Sequence, residues 1–207
     1  MSLLHLNRRK FLTLSASTPL LGLFPEQSHA SPIREMSGKV WVNDVPATLQ
    51  TLIRAGDTVS TGSQSKIVFV IGSDVFKLGE DSILKLEEGE STFINTLRLV
   101  SGKLMGAFGK GNKYVHSPSA TIGIRGTGIF MNVGAQYTYF CNCYGQTELT
   151  ALSQQPYRYS LESKHHQAVV VNHGDAKVLK GILKYHRDEE LYELESLVGR
   201  QPPESFK

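Results

Sequence analysis

From Ser31 onward, apolar and polar side chains alternate in short runs broken by turn residues. Lys39-Val40-Trp41-Val42-Asn43 has the two-residue period of a strand with one face buried. Residues 48–53 run into Arg54-Ala55-Gly56-Asp57, a turn signal. Residues 66–71 (KIVFVI) are almost wholly apolar and mostly β-branched, stop at Gly72-Ser73-Asp74 and resume as Val75-Phe76-Lys77-Leu78. Two such runs split by a glycine turn predict a hairpin. Residues 82–87 (SILKLE) alternate again, with Leu84 and Leu86 on one face. Leu97-Arg98-Leu99-Val100 then leads through Ser101-Gly102 into Lys103-Leu104-Met105-Gly106.

The second half repeats the pattern. Tyr114-Val115 and residues 120–124 read as short strands, with Gly126-Thr127-Gly128 as punctuation. Residues 128–133 and 137–143 pair across Gly134-Ala135, and residues 146–152 and 167–172 follow as strands. Closely spaced strands and turns predict an all-β chain, built as a sandwich, barrel or solenoid. The glycine loop 109–113, with Lys110 and Lys113, reads as a hairpin turn or as a site for anionic wall polymer. The last segment differs. Leu191, Leu194 and Val198 have helical spacing, Gly199 sits where a C-cap belongs, and Pro202-Pro203 stops the run. A short helix is expected near residues 185–198, within an extension spanning 152–207, and its acidic start, Asp188-Glu189-Glu190, is expected to face solvent.

The first thirty residues carry a different signal. Asn7-Arg8-Arg9-Lys10-Phe11-Leu12 precedes an apolar stretch at 12–24, and Ser28-His29-Ala30 ends in small residues of the kind a signal peptidase reads. An apolar run of 13 residues is shorter than the roughly 20 needed to span a bilayer core. The box around Arg8 and Arg9 resembles the twin-arginine consensus, although Asn7 and Thr13 depart from it. It implies export of an already folded chain, with any cofactor loaded beforehand; a general secretory signal is the alternative. Cleavage after Ala30 would leave residues 31–207 in the periplasm, with no stable membrane span.

Residues 1–30 also hold Arg8, Arg9, Lys10 and Glu26. Without them the formal charge falls from +3 to +1. No clustered basic face is left for nucleic acid. A chain of 177 residues suits one domain with an appendage.

Several segments occur in a fixed order: Ile53-Arg54-Ala55-Gly56-Asp57-Thr58-Val59-Ser60-Thr61-Gly62; Lys66-Ile67-Val68-Phe69-Val70 ahead of Gly72-Ser73; Leu99-Val100-Ser101-Gly102-Lys103-Leu104; Ser117-Pro118-Ser119-Ala120; Ile124-Arg125-Gly126-Thr127; and Tyr144-Gly145-Gln146-Thr147-Glu148-Leu149. Over residues 38–151 this series resembles the FecR domain, named for the iron-dicitrate transport regulator. The resemblance implies a twisted, solenoid-like β-sandwich. Arg125, between glycine-rich turns, either holds a turn through backbone carbonyls or faces a ligand. Sigma-regulating members of that family combine a cytoplasmic helical segment, a membrane span, the FecR domain and a receptor-contacting module. Here an export signal precedes the FecR-like segment, so a sigma-regulating role does not carry over. An envelope domain that binds a protein partner or a cell-wall ligand does.

The chemistry concentrates at Tyr139-Phe140-Cys141-Asn142-Cys143-Tyr144. On a strand, Cys141 and Cys143 share a face, with Cα atoms roughly 6.6 Å apart. A disulfide requires Cβ atoms at about 3.8 Å, so a bridge would be strained. Two such thiolates can instead bind one metal, each needing only about 2.3 Å to zinc. His165 and His166 add two nitrogens, and two sulfurs with two nitrogens suit zinc, iron or copper. Both histidines reach one site only if residues 163–167 form a loop. Three readings of the cysteines stand: a metal site, a strained or exchanging disulfide, and two inert core thiols. No phosphate loop, nucleophile elbow or zincin motif is present. The expectation is a non-enzymatic FecR-like binding domain, with a small metal or redox protein as the alternative.

Overall fold

The computed structural model describes residues 31–87, 95–153 and 155–206. Residues 1–30, read from the sequence as an export signal with Arg8 and Arg9, lie outside them. The first half consists of β1 (Ser31–Ser37), β2 (Val40–Val42), β3 (Val45–Pro46), β4 (Leu52–Ile53), β5 (Thr58–Thr61), β6 (Lys66–Ile71), β7 (Asp74–Leu78) and β8 (Ile83–Glu87). Longer strands follow: β9 (Thr96–Ala107), the short β10 (Asn112–His116), β11 (Ala120–Val133) and β12 (Tyr137–Ala151). The chain ends with β13 (Tyr157–Ser163), β14 (Gln167–Asn172), β15 (Val178–Lys180) and one helix, α1 (Asp188–Ser196). The expected all-β class with a short C-terminal helix is what the chain adopts.

The strands join one large mixed sheet that does not close. Both hairpins read from the sequence are present: β6 pairs with β7, and β11 with β12. The three long strands each change partner along their length. β11 pairs with β10 through Ala120–Arg125's stretch at 121–125, then with β9 from Gly128 to Val133. β12 pairs with β14 at residues 137–142 and with β13 at residues 145–151. This exchange folds the sheet around one apolar interior that includes Phe69, Phe76, Leu104, Phe108, Ile129 and Phe140. The sheet also runs past residue 151, because β13 and β14 both pair with β12. One sequence expectation fails. The loop at 108–111 is not a hairpin turn, since β10 runs parallel to the first half of β9.

A second, smaller core lies on the outer face of the sheet. Phe130, Tyr139, Cys141, Cys143 and Tyr144 face Leu191, Leu194 and Phe206 there. Helix α1 has nine residues, too few for stability in isolation. Its order therefore comes from docking. Leu191 and Leu194 are buried, Lys77 Nζ lies 2.7 Å from Glu190, and Arg200 Nε donates to the buried Glu195 at 2.5 Å. Gly199, at φ +68°, takes the left-handed conformation expected just past a helix end. Among the described residues, no helix is long and apolar enough to cross a membrane.

Candidate metal centre

Strand alternation and one irregularity aim both cysteines outward. In the β11–β12 register Phe130 opposes Cys141, Ile129 opposes Asn142 and Gly128 opposes Tyr144. Cys143 is thus an extra residue on β12, a β-bulge of the kind that re-aims side chains. Cys141, Cys143 and Tyr144 consequently share the outer core, while Phe140 enters the inner one. Asn142 is buried and anchored, its Nδ2 donating to the carbonyls of Leu161 at 3.0 Å and Gly145 at 2.8 Å. Gly128 makes room for the Tyr144 ring, since a Cβ there would lie 2.5 Å from it.

The two histidines come from irregular backbone. His166 follows β13, at φ +50°, a conformation uncommon for a residue other than glycine. Its amide donates to Cys143 O at 2.8 Å, which ties the turn to the bulge. His186 precedes α1, after Tyr185 at φ +74°. Its ring stacks on Phe130, with centroids 4.6 Å apart and planes 11° apart. Tyr139 secures the approach: its hydroxyl donates to Ile182 O at 3.1 Å and accepts from Lys184 N at 3.2 Å.

Four potential ligand atoms converge. Cys141 Sγ is 3.5 Å from His166 Nδ1, Cys143 Sγ is 3.4 Å from His186 Nε2, and the two nitrogens are 3.3 Å apart. All four atoms lie within 4.8 Å of one another. A tetrahedron with metal–sulfur bonds of about 2.3 Å and metal–nitrogen bonds of about 2.0–2.1 Å has S···N edges of about 3.5 Å and N···N edges of about 3.3 Å. The spacing therefore fits a single ion. Each imidazole is also held from behind by an oxygen that accepts. His166 Nε2 donates to Asp188 Oδ1 at 2.7 Å, and His186 Nδ1 donates to Lys184 O at 3.0 Å. These bonds fix the tautomers that turn a nitrogen lone pair inward, the outer-shell arrangement of metal-bound histidine.

The charges are arranged for a cation. A hydrogen bond from Cys143 pulls the Cys141 thiol down to about 4, with His166 and His186 adding to it against the opposing effect of burial. Burial, with Cys141 beside it, pushes the Cys143 thiol well above its usual range. Burial acts to lower His166, but hydrogen bonds to Cys141 and Asp188 outweigh it and raise this histidine. Burial acts to raise Asp188, but hydrogen bonds from His165 and His166 hold it below the ordinary carboxylate value. Without an ion, the proton on Cys143 and the one drawn to His166 balance the Cys141 thiolate, and an ion would take the place of those protons.

The structure unites Cys141, Cys143 and His166 but sends His165 elsewhere. The two rings stay in edge-to-face contact, centroids 4.5 Å apart, but His165 turns its Nε2 to Asp188 Oδ2 at 2.8 Å and packs 5.1 Å from Phe206, outside the four-atom cluster. His186 takes the fourth place. Nothing local in the sequence selects it from the seven histidines, because it lies 43 residues beyond Cys143. His116 and His173 bond Thr121 and Thr138 instead. Both thiols are free and buried. The acidic helix start is not simply solvent-facing: Asp188 holds both His165 and His166, while Glu190 pairs with Lys77. In the Arg125-Gly126-Thr127 motif, Arg125 is exposed, and among the described residues its guanidinium has no hydrogen-bond partner. The turn is held by Gly126 at φ +60° and by buried Thr127, whose hydroxyl lies 3.3 Å from Asn142 Oδ1, between the two cysteines.

The chain is thus an all-β protein whose outer core closes over a two-cysteine, two-histidine cluster. No family model matches the sequence, and no curated protein matches it. Two crystal structures of a proposed anti-sigma factor from Parabacteroides distasonis share its fold, each at TM-score 0.50 and 12% identity. The likeness covers 60% of this chain and 58% of that one, less than two thirds of the neighbour's length.

Proposed function

We propose that this protein is an exported, FecR-like β-domain of the bacterial cell envelope that binds one transition-metal ion through Cys141, Cys143, His166 and His186. The observation that carries the metal reading is the convergence of four ligand atoms at tetrahedral spacing, with both imidazoles oriented from behind by Asp188 and Lys184 O. The FecR-like reading rests on the ordered segments from Ile53 to Leu149, and the anti-sigma-factor fold likeness supports it at the level of the scaffold. Export and a periplasmic location rest on the Arg8-Arg9 box and the small residues ending at Ala30. In this reading the domain holds an envelope protein or a cell-wall ligand and carries out no sigma-factor regulation itself.

Metal analysis and thiol titration of native protein, purified both after export and after retention in the cytoplasm, test the reading. One equivalent of zinc, iron or copper, lost in Cys141→Ser and Cys143→Ser, is expected. Metal-free protein without titratable thiols would replace the metal site with a disulfide.

A further inference from the structure

We infer that the bound ion is divalent, of the zinc type, and acts as a clamp that holds residues 181–190 against the outer face of the sheet. This rests on the metal reading above and adds what the ion does.

Three ligands belong to one framework. Cys141 and Cys143 sit on β12, and His166 is tied to it through its amide bond to Cys143 O. The fourth, His186, belongs to the stretch between β15 and α1, which has no strand or helix of its own. An ion joining all four therefore fastens that stretch to the sheet. The fastening extends into α1, because Asp188, its first residue, bonds the ligand His166 at 2.7 Å. A metal on Nδ1 makes the Nε2 proton a better donor, so loading strengthens the bond to the helix. Phe206 packs 5.3 Å from the same ring and closes the site from outside.

The enclosure defines the ion's role. Cys141 and Cys143 are 0% exposed and His186 is 7% exposed. Four protein ligands with no open position characterise a structural centre rather than one that presents a metal to substrate. Charge selects the valence. Two thiolates neutralise a divalent ion, whereas copper(I) would leave a buried net negative charge and iron(III) a positive one. Without an ion, the two inward nitrogens face each other at 3.3 Å and must recruit a proton or separate. His186 is the one able to move, since it alone lies outside the sheet framework.

Trypsin reports on the clamp directly, because Lys184 and Arg187 flank His186 and are exposed. Cleavage of a locally opened segment tracks the open population, and a ligand at 100 times its Kd lowers that population about 100-fold. The full chain, stripped with chelator, is reloaded with zinc and digested. Cleavage after Lys184 and Arg187 is expected to slow about 100-fold at that zinc excess, with cleavage after the exposed Lys110 unchanged. In His186→Ala, zinc should no longer protect these sites. Zinc bound one to one without protection would overturn the clamp and leave the metal reading standing. No zinc binding at all would remove both. Native protein carrying copper(I) in preference to zinc would overturn the valence assignment.

Discussion

Cys143 Sγ lies 3.4 Å from Nε2 of His186, a residue 43 positions further along the chain. The contact exists because strand alternation puts Cys143 on the outer face with Cys141, where the returning C-terminal segment lays His186 across it. It joins the sheet to its covering and makes the two cysteines half of a cluster of four residues able to hold a metal ion.

Ligand and neighbour can be separated by substitution. Cys141→Ser, Cys143→Ser, His166→Ala and His186→Ala should each sharply weaken zinc or cobalt binding, measured by competition with a chromophoric chelator. His165→Ala should leave it nearly unchanged, because that ring faces Asp188 and Phe206. Asp188→Asn should keep one-to-one binding but lower affinity about 10–100-fold, the usual effect of an outer-shell partner. A full loss in His165→Ala would restore His165 as a ligand.

Metal affinity should fall as pH falls, because thiolates and neutral imidazoles must lose protons before binding. The metal-free protein should show a separate effect. Asp188, held below its ordinary 3.8, stabilises the fold above that value and loses this as pH falls through its lowered pKa. His166, raised above 6.5, stabilises below that value and loses this as pH rises through its raised pKa. The urea midpoints of metal-free wild type and Asp188→Asn should therefore differ most between pH 3.8 and 6.5. A difference no larger inside this window than well below or well above it would show that the pair contributes nothing.

Gly128→Ala should destabilise the fold by about 1–3 kcal/mol, as overpacking does. Its Cβ would fall 2.5 Å from the Tyr144 ring and 3.1 Å from Leu191 Cδ2. Gly123→Ala, with its nearest contact at 3.6 Å from Tyr114, should cost far less. Chemical denaturation of the two variants makes the comparison, and equal losses would contradict the packing.

Glu195 is buried between Arg200 and the Tyr144 hydroxyl, and Arg200 reaches on to the Ser73 and Ala107 carbonyls. Glu195→Gln removes the charge opposite a partly buried guanidinium. A loss of about 3 kcal/mol is expected in equilibrium unfolding, the scale of breaking a buried pair from one side. An unchanged midpoint would mean that the helix docks on its leucines alone.

Replacing Arg8 and Arg9 together by lysine should leave the protein in the cytoplasm, seen by fractionation of cells. Export that continues unchanged would assign the general secretory route.

The sheet was largely legible because a strand writes its burial into alternate residues. Residues 66–71 and Val75-Phe76-Lys77-Leu78 show this, and they pair as a hairpin. β13 was not legible: in Tyr157–Ser163 only Leu161 is buried, so no apolar alternation marks it. The shared face of Cys141 and Cys143 was legible for the same local reason. That only His166 of the adjacent pair joins the cysteines was not, since it depends on a left-handed backbone at one position of a short turn.

By itself the chain's order of residues determined the strand content, the closing helix and the two same-face thiols, all set by neighbours within a few positions. The tertiary fold decided which histidines complete the cluster, that Asp188 bonds His165 and His166 rather than solvent alone, and that Thr127 rather than Arg125 holds its turn. Those outcomes depend on segments tens of residues apart meeting across the sheet, where side-chain direction follows from a bulge, a positive φ and the return path of the C-terminal segment.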